Sequence, residues 1–244
     1  MKLTAYALVV EVTRRCNMHC KHCLRGTSEK EDINRESLRA ALKQFDRIGC
    51  ITFSGGEPTL NLEAIRDTLE LCKELGITVG NFYLVTNGKM TEKTRDELID
   101  VCDAWYAYCD DNELSALTVS QDMFHEPNWV FVDEMDDLFL PYFKSGDKRT
   151  DFRVTGILRS GRAKRLKKDQ YRFLKPADTS WRQISAYRYD DELVIEEGTL
   201  YLSANGLFYP NCDLSYEQMR EATGLSPKEL VPSLIRNNVN TAAV

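Results

Sequence analysis

No stretch of this 244-residue chain reaches the roughly 18 consecutive apolar residues that a bilayer-crossing helix requires. An excess of basic charge is also missing. Lys and Arg number 32 against 38 Asp and Glu, a formal net charge of −6, so no whole-protein field draws in nucleic acid or an anionic membrane. Internal repeats, low-complexity segments and clear linkers are absent. The eight cysteines do not form the dense framework of a small secreted domain; Cys50, Cys72, Cys102, Cys109 and Cys212 are scattered, mostly within apolar patterns. The opening "MKLTAYALVVEV" fails as a signal peptide because Glu11 interrupts the apolar run and no small-residue cleavage site follows. A reducing cytoplasm is the expected compartment.

With 43% hydrophobic and 29% charged residues, the composition is that of an ordinary globular protein. A chain of this length buries about 70–75% of its unfolded surface without staples, in roughly one or two domains. Strand and helix patterns alternate along it. Residues 5–12 read as a buried strand, 34–48 as a helix carrying Leu38, Leu42, Phe45 and Ile48 and ended by Gly49, and 50–54 as a second strand. Asn61 caps a helix through Leu75, with Gly76 closing it. Residues 80–86 form a third strand, 92–112 a long helix and 116–122 a fourth strand. Pro127 opens a helix with Phe131, Met135, Leu138, Phe139 and Tyr142, and 151–158 is a fifth strand. Such alternation predicts an α/β fold with a parallel sheet, either open or a barrel. A full barrel takes about 250 residues, and the repeats stop near residue 170, so any barrel is partial. After residue 175 the pattern becomes a β-hairpin about Asn205-Gly206, a helix from near Ser215 and a last helix from Ser226-Pro227. Residues 1–175 are read as the core, and 176–244 as an extension packed on it.

The stretch "EVTRRCNMHCKHCLRG" places Cys16, Cys20 and Cys23 in a C-x3-C-x2-C pattern directly after the first strand. Soft thiolates select zinc, Cu(I) or iron–sulfur clusters. Structural zinc closes four ligands, usually as paired C-x2-C units; no second pair exists, although His19 or His22 can supply a fourth ligand. A 4Fe–4S cluster on three cysteines leaves one iron open for a cofactor or substrate. A thioredoxin-like disulfide motif needs no third thiol. "SGGEP" (54–58), "TNG" (86–88) and "SQDMFH" (120–125) also follow strand ends, where parallel architectures build their sites.

The cysteine spacing after the first strand, with "SGGEP" behind it, resembles the radical S-adenosylmethionine (SAM) enzymes. The resemblance implies a partial (β/α)6 barrel in which Cys16, Cys20 and Cys23 hold three irons of a 4Fe–4S cluster and the fourth iron chelates SAM. Reductive cleavage of SAM then yields a 5′-deoxyadenosyl radical that abstracts hydrogen from a substrate, with a low-potential donor of flavodoxin or ferredoxin type supplying the electron. It also implies SAM contacts for Gly55, Gly56 and Glu57, with Glu57 accepting from the SAM ammonium, and for Thr86, Asn87, Ser120, Asp122, Arg159 and Arg162. His22, where an aromatic residue is common, is placed by the adenine or the cluster. His125 faces substrate or is a satisfied structural histidine.

"NGLFYPNCD" resembles the start of the SPASM or twitch extension of peptide-modifying members, but Cys212 stands alone there, so no second four-cysteine cluster is expected. With little before the first strand, no separate leader-peptide-binding domain is expected. The substrate class implied is a peptide or protein. The alternatives are a glycyl-radical-enzyme activase, an enzyme of small metabolites or nucleotides, and, outside catalysis, a zinc-stabilised module or a SAM-binding sensor. Residues 159–172 carry seven basic side chains against one acid, read as a solvated face or as a site for an acidic peptide, a nucleotide or a reductase.

Overall fold

In the computed structural model, which describes residues 1–125, 129–146, 151–175 and 177–238, the first strand is the hub. β1 (Lys2–Thr13) is buried without break from Leu8 onward, as a strand covered on both faces must be. The parallel strands β2 (Phe45–Gly55), β3 (Thr78–Thr86), β4 (Ala116–Val119) and β5 (Phe143–Lys144) follow on one side. The helices between them are α1 (Arg35–Leu42), α2 (Leu62–Leu75), α3 (Glu92–Tyr108) and α4 (Trp129–Asp136). Leu3, Leu8, Phe45, Ile51, Phe53 and Trp105 are fully or almost fully buried between sheet and helices. The sheet is open: its order runs from the C-terminal strands through β1 to β5, and no pairing among the described residues closes it.

Several expectations need correction. The helix predicted over 34–48 ends at Leu42, and Phe45 and Ile48 lie on β2. The β1–β2 register shifts between Leu3 and Thr4, so that Leu3 faces Phe45 but Thr4 faces Arg47. One extra residue on β2 turns Phe45 and Ile48 to the same side and imitates helical spacing. The fifth strand predicted over 151–158 is instead a single helical turn, α5 (Phe152–Thr155), and a short β6 (Ile157–Leu158). β6 pairs with β7 (Phe173–Leu174) in a separate two-stranded sheet. The helix predicted over 92–112 stops at Tyr108, and the strand over 116–122 stops at Val119. Pro127 lies outside the described residues.

Residues 177–238 extend the main sheet on the other side of β1. β8 (Ser185–Tyr189) and β9 (Glu192–Glu197) form an antiparallel hairpin, and β9 runs parallel to Lys2–Ala5. β10 (Leu200–Leu202) runs parallel to Leu8–Val10 and turns at Gly206 (φ +79) into β11 (Phe208–Tyr209), the hairpin the Asn-Gly pair predicts. α6 (Tyr216–Glu221) starts with a capping box between Ser215 and Gln218, and α7 (Pro227–Asn238) opens on its proline.

The end of β1 is tied to the next helix by Asn61. Its Oδ1 accepts from Ala64 N at 3.4 Å, capping α2, and its Nδ2 donates to Val12 O at 2.7 Å. Asn61→Ala is expected to cost about 1–2 kcal/mol and to lower Tm by about 2–8 °C, as read by a circular-dichroism melt. An unchanged melt would show that neither bond contributes. None of the described helices is long and apolar enough to cross a membrane.

Candidate functional site

The C-terminal ends of β1 to β4 open onto one cleft of about 310 Å³. Cys16, Cys20 and Cys23 all line it, together with Gly55, Gly56, Glu57, Thr86, Asn87, Ser120, His22 and Arg162. Parallel strands share one C-terminal face, so loops distant in sequence converge there. Asp122 and Arg159, expected at the same site, are not among its walls. Arg159 lies over the Phe173 ring at 5.5 Å, beside the small second sheet.

The cysteine loop leaves β1 over a buried ionic base. Glu11 and Arg14 are nearly inaccessible, and Arg14 pairs with Glu11 at 3.1 Å, Glu29 at 2.8 Å and Glu31 at 2.9 Å. Glu11 Oε2 also accepts from Ser203 Oγ (2.9 Å) and Ala204 N (3.0 Å), so the C-terminal hairpin helps to hold the loop's root. Buried charges are tolerated only when paired and hydrogen-bonded in this way. Burial works against the Arg14 charge, but its carboxylate partners raise its pKa well above the ordinary value. Farther on, Cys16 N donates to Ser28 Oγ (3.0 Å) and Met18 N approaches Cys16 Sγ (3.4 Å). Burial raises the Cys16 pKa, with smaller contributions from Glu57 and the other two thiols.

The Gly-Gly-Glu turn braces this loop. A Cβ on Gly55 would stand 2.3 Å from Thr13 O, and one on Gly56 2.2 Å from Arg15 O. The glycines thus permit close approach to the cysteine loop's own backbone, sealed by Gly56 N to Thr13 O and Glu57 N to Arg15 O, both 2.8 Å. Glu57 is 1% exposed. Its Oε1 accepts from Thr86 Oγ1 (2.7 Å) and Thr59 Oγ1 (2.8 Å), and its Oε2 from Asn87 N (2.8 Å). Burial raises the Glu57 pKa against these hydrogen bonds. Glu57 and Thr86, each expected to meet SAM separately, therefore meet each other, and the carboxylate fixes the loop after β3.

The loop after β4 carries an arrangement the sequence left undecided. His125 Nδ1 lies 2.7 Å from Asp122 Oδ1, and its Nε2 lies 3.4 Å from Cys20 Sγ. Burial would lower the His125 pKa, but the Asp122 hydrogen bond and the Cys20 thiol raise it to about 10. His22 stacks on Phe124 with ring centroids 4.4 Å apart, and its Nε2 is 3.4 Å from Asp122 Oδ2. Desolvation pushes the His22 pKa down to about 4, so this imidazole is neutral. Asp122 serves to orient the two histidines. His125 and Arg25 also line the cleft. The only sequence signal for His125 was its position three residues after an aspartate in a strand-end loop; nothing singled out Arg25.

On the far side of the loop, Arg162 donates its N–H to Cys23 O and its Nε to Cys20 O, each at 2.9 Å, and its Nη1 to Gly26 O. Its guanidinium is spent on the shape of the cysteine loop.

The donor set discriminates between metals. Among the described residues, the ligand atoms of His22, Asp122 and His125 are the set of three that lies within 4.8 Å. The three thiols line one cleft. Structural zinc usually closes four ligands as paired C-x2-C units, and this chain has no second pair. Three soft thiolates around one cleft fit a cluster whose separate irons each take one cysteine.

Residues 10–127 match the family model of the Radical SAM superfamily. Over 98 residues the chain is 31% identical to the uncharacterized protein MJ0907 of Methanocaldococcus jannaschii, covering 36% of this chain and 34% of that one. Over 97 residues it is 31% identical to 7,8-dihydro-6-hydroxymethylpterin dimethyltransferase of the same organism, covering 36% of this chain and 18% of that one. The match therefore spans about a third or less of these curated relatives. Among solved structures, native anSMEcpe with bound AdoMet and Kp18Cys peptide aligns over 86% of this chain and 75% of that one, at 16% identity and a TM-score of 0.48. BtrN in complex with AdoMet and 2-DOIA aligns over 98% and 84%, at 17% identity and a TM-score of 0.43.

Proposed function

We propose that this chain is a radical SAM enzyme that holds a 4Fe–4S cluster on Cys16, Cys20 and Cys23, binds SAM in the cleft above the Gly55–Glu57 turn, and acts on a peptide or protein. The observation that carries the cofactor reading is the convergence of three thiols on one cleft at the C-terminal ends of parallel strands. Bound there, the cluster and SAM supply a 5′-deoxyadenosyl radical for hydrogen abstraction. The residues of the chain hold and shape. Gly56 and Glu57 fix the root of the cysteine loop through Thr13 and Arg15, and Arg162 fixes its far end. Glu57 holds Thr86 and Asn87 at the wall where SAM binds. His125, oriented by Asp122, stands against the Cys20 sulfur.

The peptide reading rests on the resemblance of Asn205–Asp213 to the extension of peptide-modifying enzymes. A second reading, a small heterocyclic metabolite, is favoured by the match to the pterin dimethyltransferase.

After anaerobic reconstitution with iron and sulfide the protein is expected to be brown and to release 5′-deoxyadenosine on reduction by dithionite with SAM. Zinc without iron in anaerobically purified protein, or SAM binding without release, overturns the cofactor reading. A rise in 5′-deoxyadenosine with peptide digests supports the first substrate class. A rise with pterins alone supports the second.

A further inference from the structure

The loop after β4 buries a carboxylate that pairs with no lysine or arginine among the described residues. Asp122 is 8% exposed, and its ionisable partners are the rings of His125 and His22. A charge this deep is tolerated only when it is matched. His125, equally buried, is placed to match it, with Nδ1 2.7 Å from Asp122 Oδ1. His22 reaches the other oxygen only at 3.4 Å and stacks on Phe124. His125 is therefore the partner that carries the positive charge, with a proton on each ring nitrogen.

The turn leaves that ring little freedom. Asp122 Oδ1 also accepts from Phe124 N at 2.8 Å, and Asp122 O accepts from His125 N at 2.8 Å. Carboxylate, backbone and imidazole lock one another, and the far ring nitrogen, Nε2, stops 3.4 Å from Cys20 Sγ, a hydrogen-bond distance for sulfur. Cys20 differs in this from Cys16, whose Sγ meets the backbone N of Met18 at 3.4 Å and Asn87 Nδ2 at 4.0 Å. The donor aimed at Cys20 carries a full charge, and the donors at Cys16 are neutral amides.

We propose that His125, held by Asp122, donates an N–H···S hydrogen bond to the Cys20 thiolate and makes the cluster on that cysteine easier to reduce. The proposal rests on the cofactor reading above and extends it to the step in which the electron enters. Iron–sulfur potentials depend on net charge and on hydrogen bonds to the sulfurs. A positive donor beside one thiolate favours the form with one more electron, the 1+ cluster over the 2+. Burial of the Asp122–His125–Cys20 chain strengthens the effect. One electron enters, no bond breaks, and His125 keeps its proton. Asp122 acts through His125, and His125 through Cys20, so both are positioning residues.

The test is a redox titration of the full chain, loaded anaerobically with iron and sulfide and without SAM. Dithionite and mediator dyes set the potential, and EPR reads the 1+ cluster. Wild type is compared with His125→Leu, Asp122→Asn and His125→Gln. Leucine offers no donor. Asparagine keeps the shape of the turn but not the charge, so a neutral ring presents a lone pair to the sulfur. At the potential that half-reduces wild type, the ratio of 1+ to 2+ cluster is expected to be about tenfold lower in both, a midpoint about 59 mV more negative for one electron. His125→Gln, with a neutral N–H, should fall between. Iron content should match wild type in all three. Unchanged midpoints with full iron overturn the proposal and leave the cofactor reading standing. Iron loss in all three variants assigns the pair to loop support and overturns it as well. A wild type that takes up no iron overturns both readings. Co2+ bound by the cluster-free chain and lost in His22→Ala would make His22, Asp122 and His125 ligands of a separate metal, and overturns the hydrogen bond.

Discussion

Cys20→Ala is expected to form no detectable 5′-deoxyadenosine. The three thiols are the whole cysteine set at the cleft, since Cys50 lies within β2 opposite Ala7, Cys72, Cys102 and Cys109 are buried in the core, and Cys212 packs beside the Tyr201–Met219 cluster. No spare thiol lies beside the loop to take the place of Cys20. Loss of an outer-shell partner of a metal ligand typically costs 10–100-fold, so loss of a ligand should exceed about 100-fold. His125 makes the substitution still more informative. Its Nε2 faces Cys20 Sγ at 3.4 Å, and removal of the sulfur strips that imidazole of its contact as well. Iron content, the visible absorption band and 5′-deoxyadenosine yield should fall together. Cys212→Ala should leave all three unchanged. Undiminished SAM cleavage in Cys20→Ala would refute the ligand assignment.

Gly56→Val should be nearly as damaging through packing alone. The new Cβ would lie 2.2 Å from Arg15 O, 2.7 Å from Arg15 C and 2.8 Å from Arg14 O. All three are backbone atoms, so no rotamer change relieves the clash. Either the turn or the cysteine loop must move, and the bonds from Gly56 N and Glu57 N to Thr13 O and Arg15 O are strained or broken. Overpacking costs about 1–3 kcal/mol, and each weakened hydrogen bond about 1 kcal/mol more. The sum, about 3–5 kcal/mol, corresponds to a fall in Tm of about 6–20 °C for a chain of this size. Cys16 directly follows Arg15, so iron retention should drop even in the fraction that folds. Thermal melts and iron analysis on the same preparation check this. A variant that keeps both values would show that the turn does not set the loop.

Much of this architecture can be read from local pattern, and the exceptions have physical causes. The helix from Asn61 to Gly76 is legible because its cap and its left-handed terminus (φ +68) are each written in one residue. β2 is misread as helix over Phe45–Ile48 because a register shift gives a strand the spacing of a helix. The strand predicted at 151–158 fails because Gly156 (φ +80) separates one helical turn from two extended residues. At the site, spacing singles out Cys16, Cys20 and Cys23 as candidate ligands, and all three line one cleft. It does not show that Glu57 spends its carboxylate on Thr59, Thr86 and Asn87, because those partners come from other loops. It also does not show that Asp122 serves His125 and His22. Tertiary pairing of this kind leaves no periodic trace in a single chain.

The order of assembly follows from β1. Its first half pairs with β9 and its second half with β10, roughly 190 residues later in the chain. Glu11, at the mouth of the cysteine loop, takes two of its hydrogen bonds from Ser203 and Ala204. A ribosome that has released only residues 1–122 has exposed the three cysteines without the strands and hydroxyl that set their root. On the proposed cofactor reading, a cluster therefore meets a finished loop only after Ser203 and Ala204 have been made and have folded back onto Glu11.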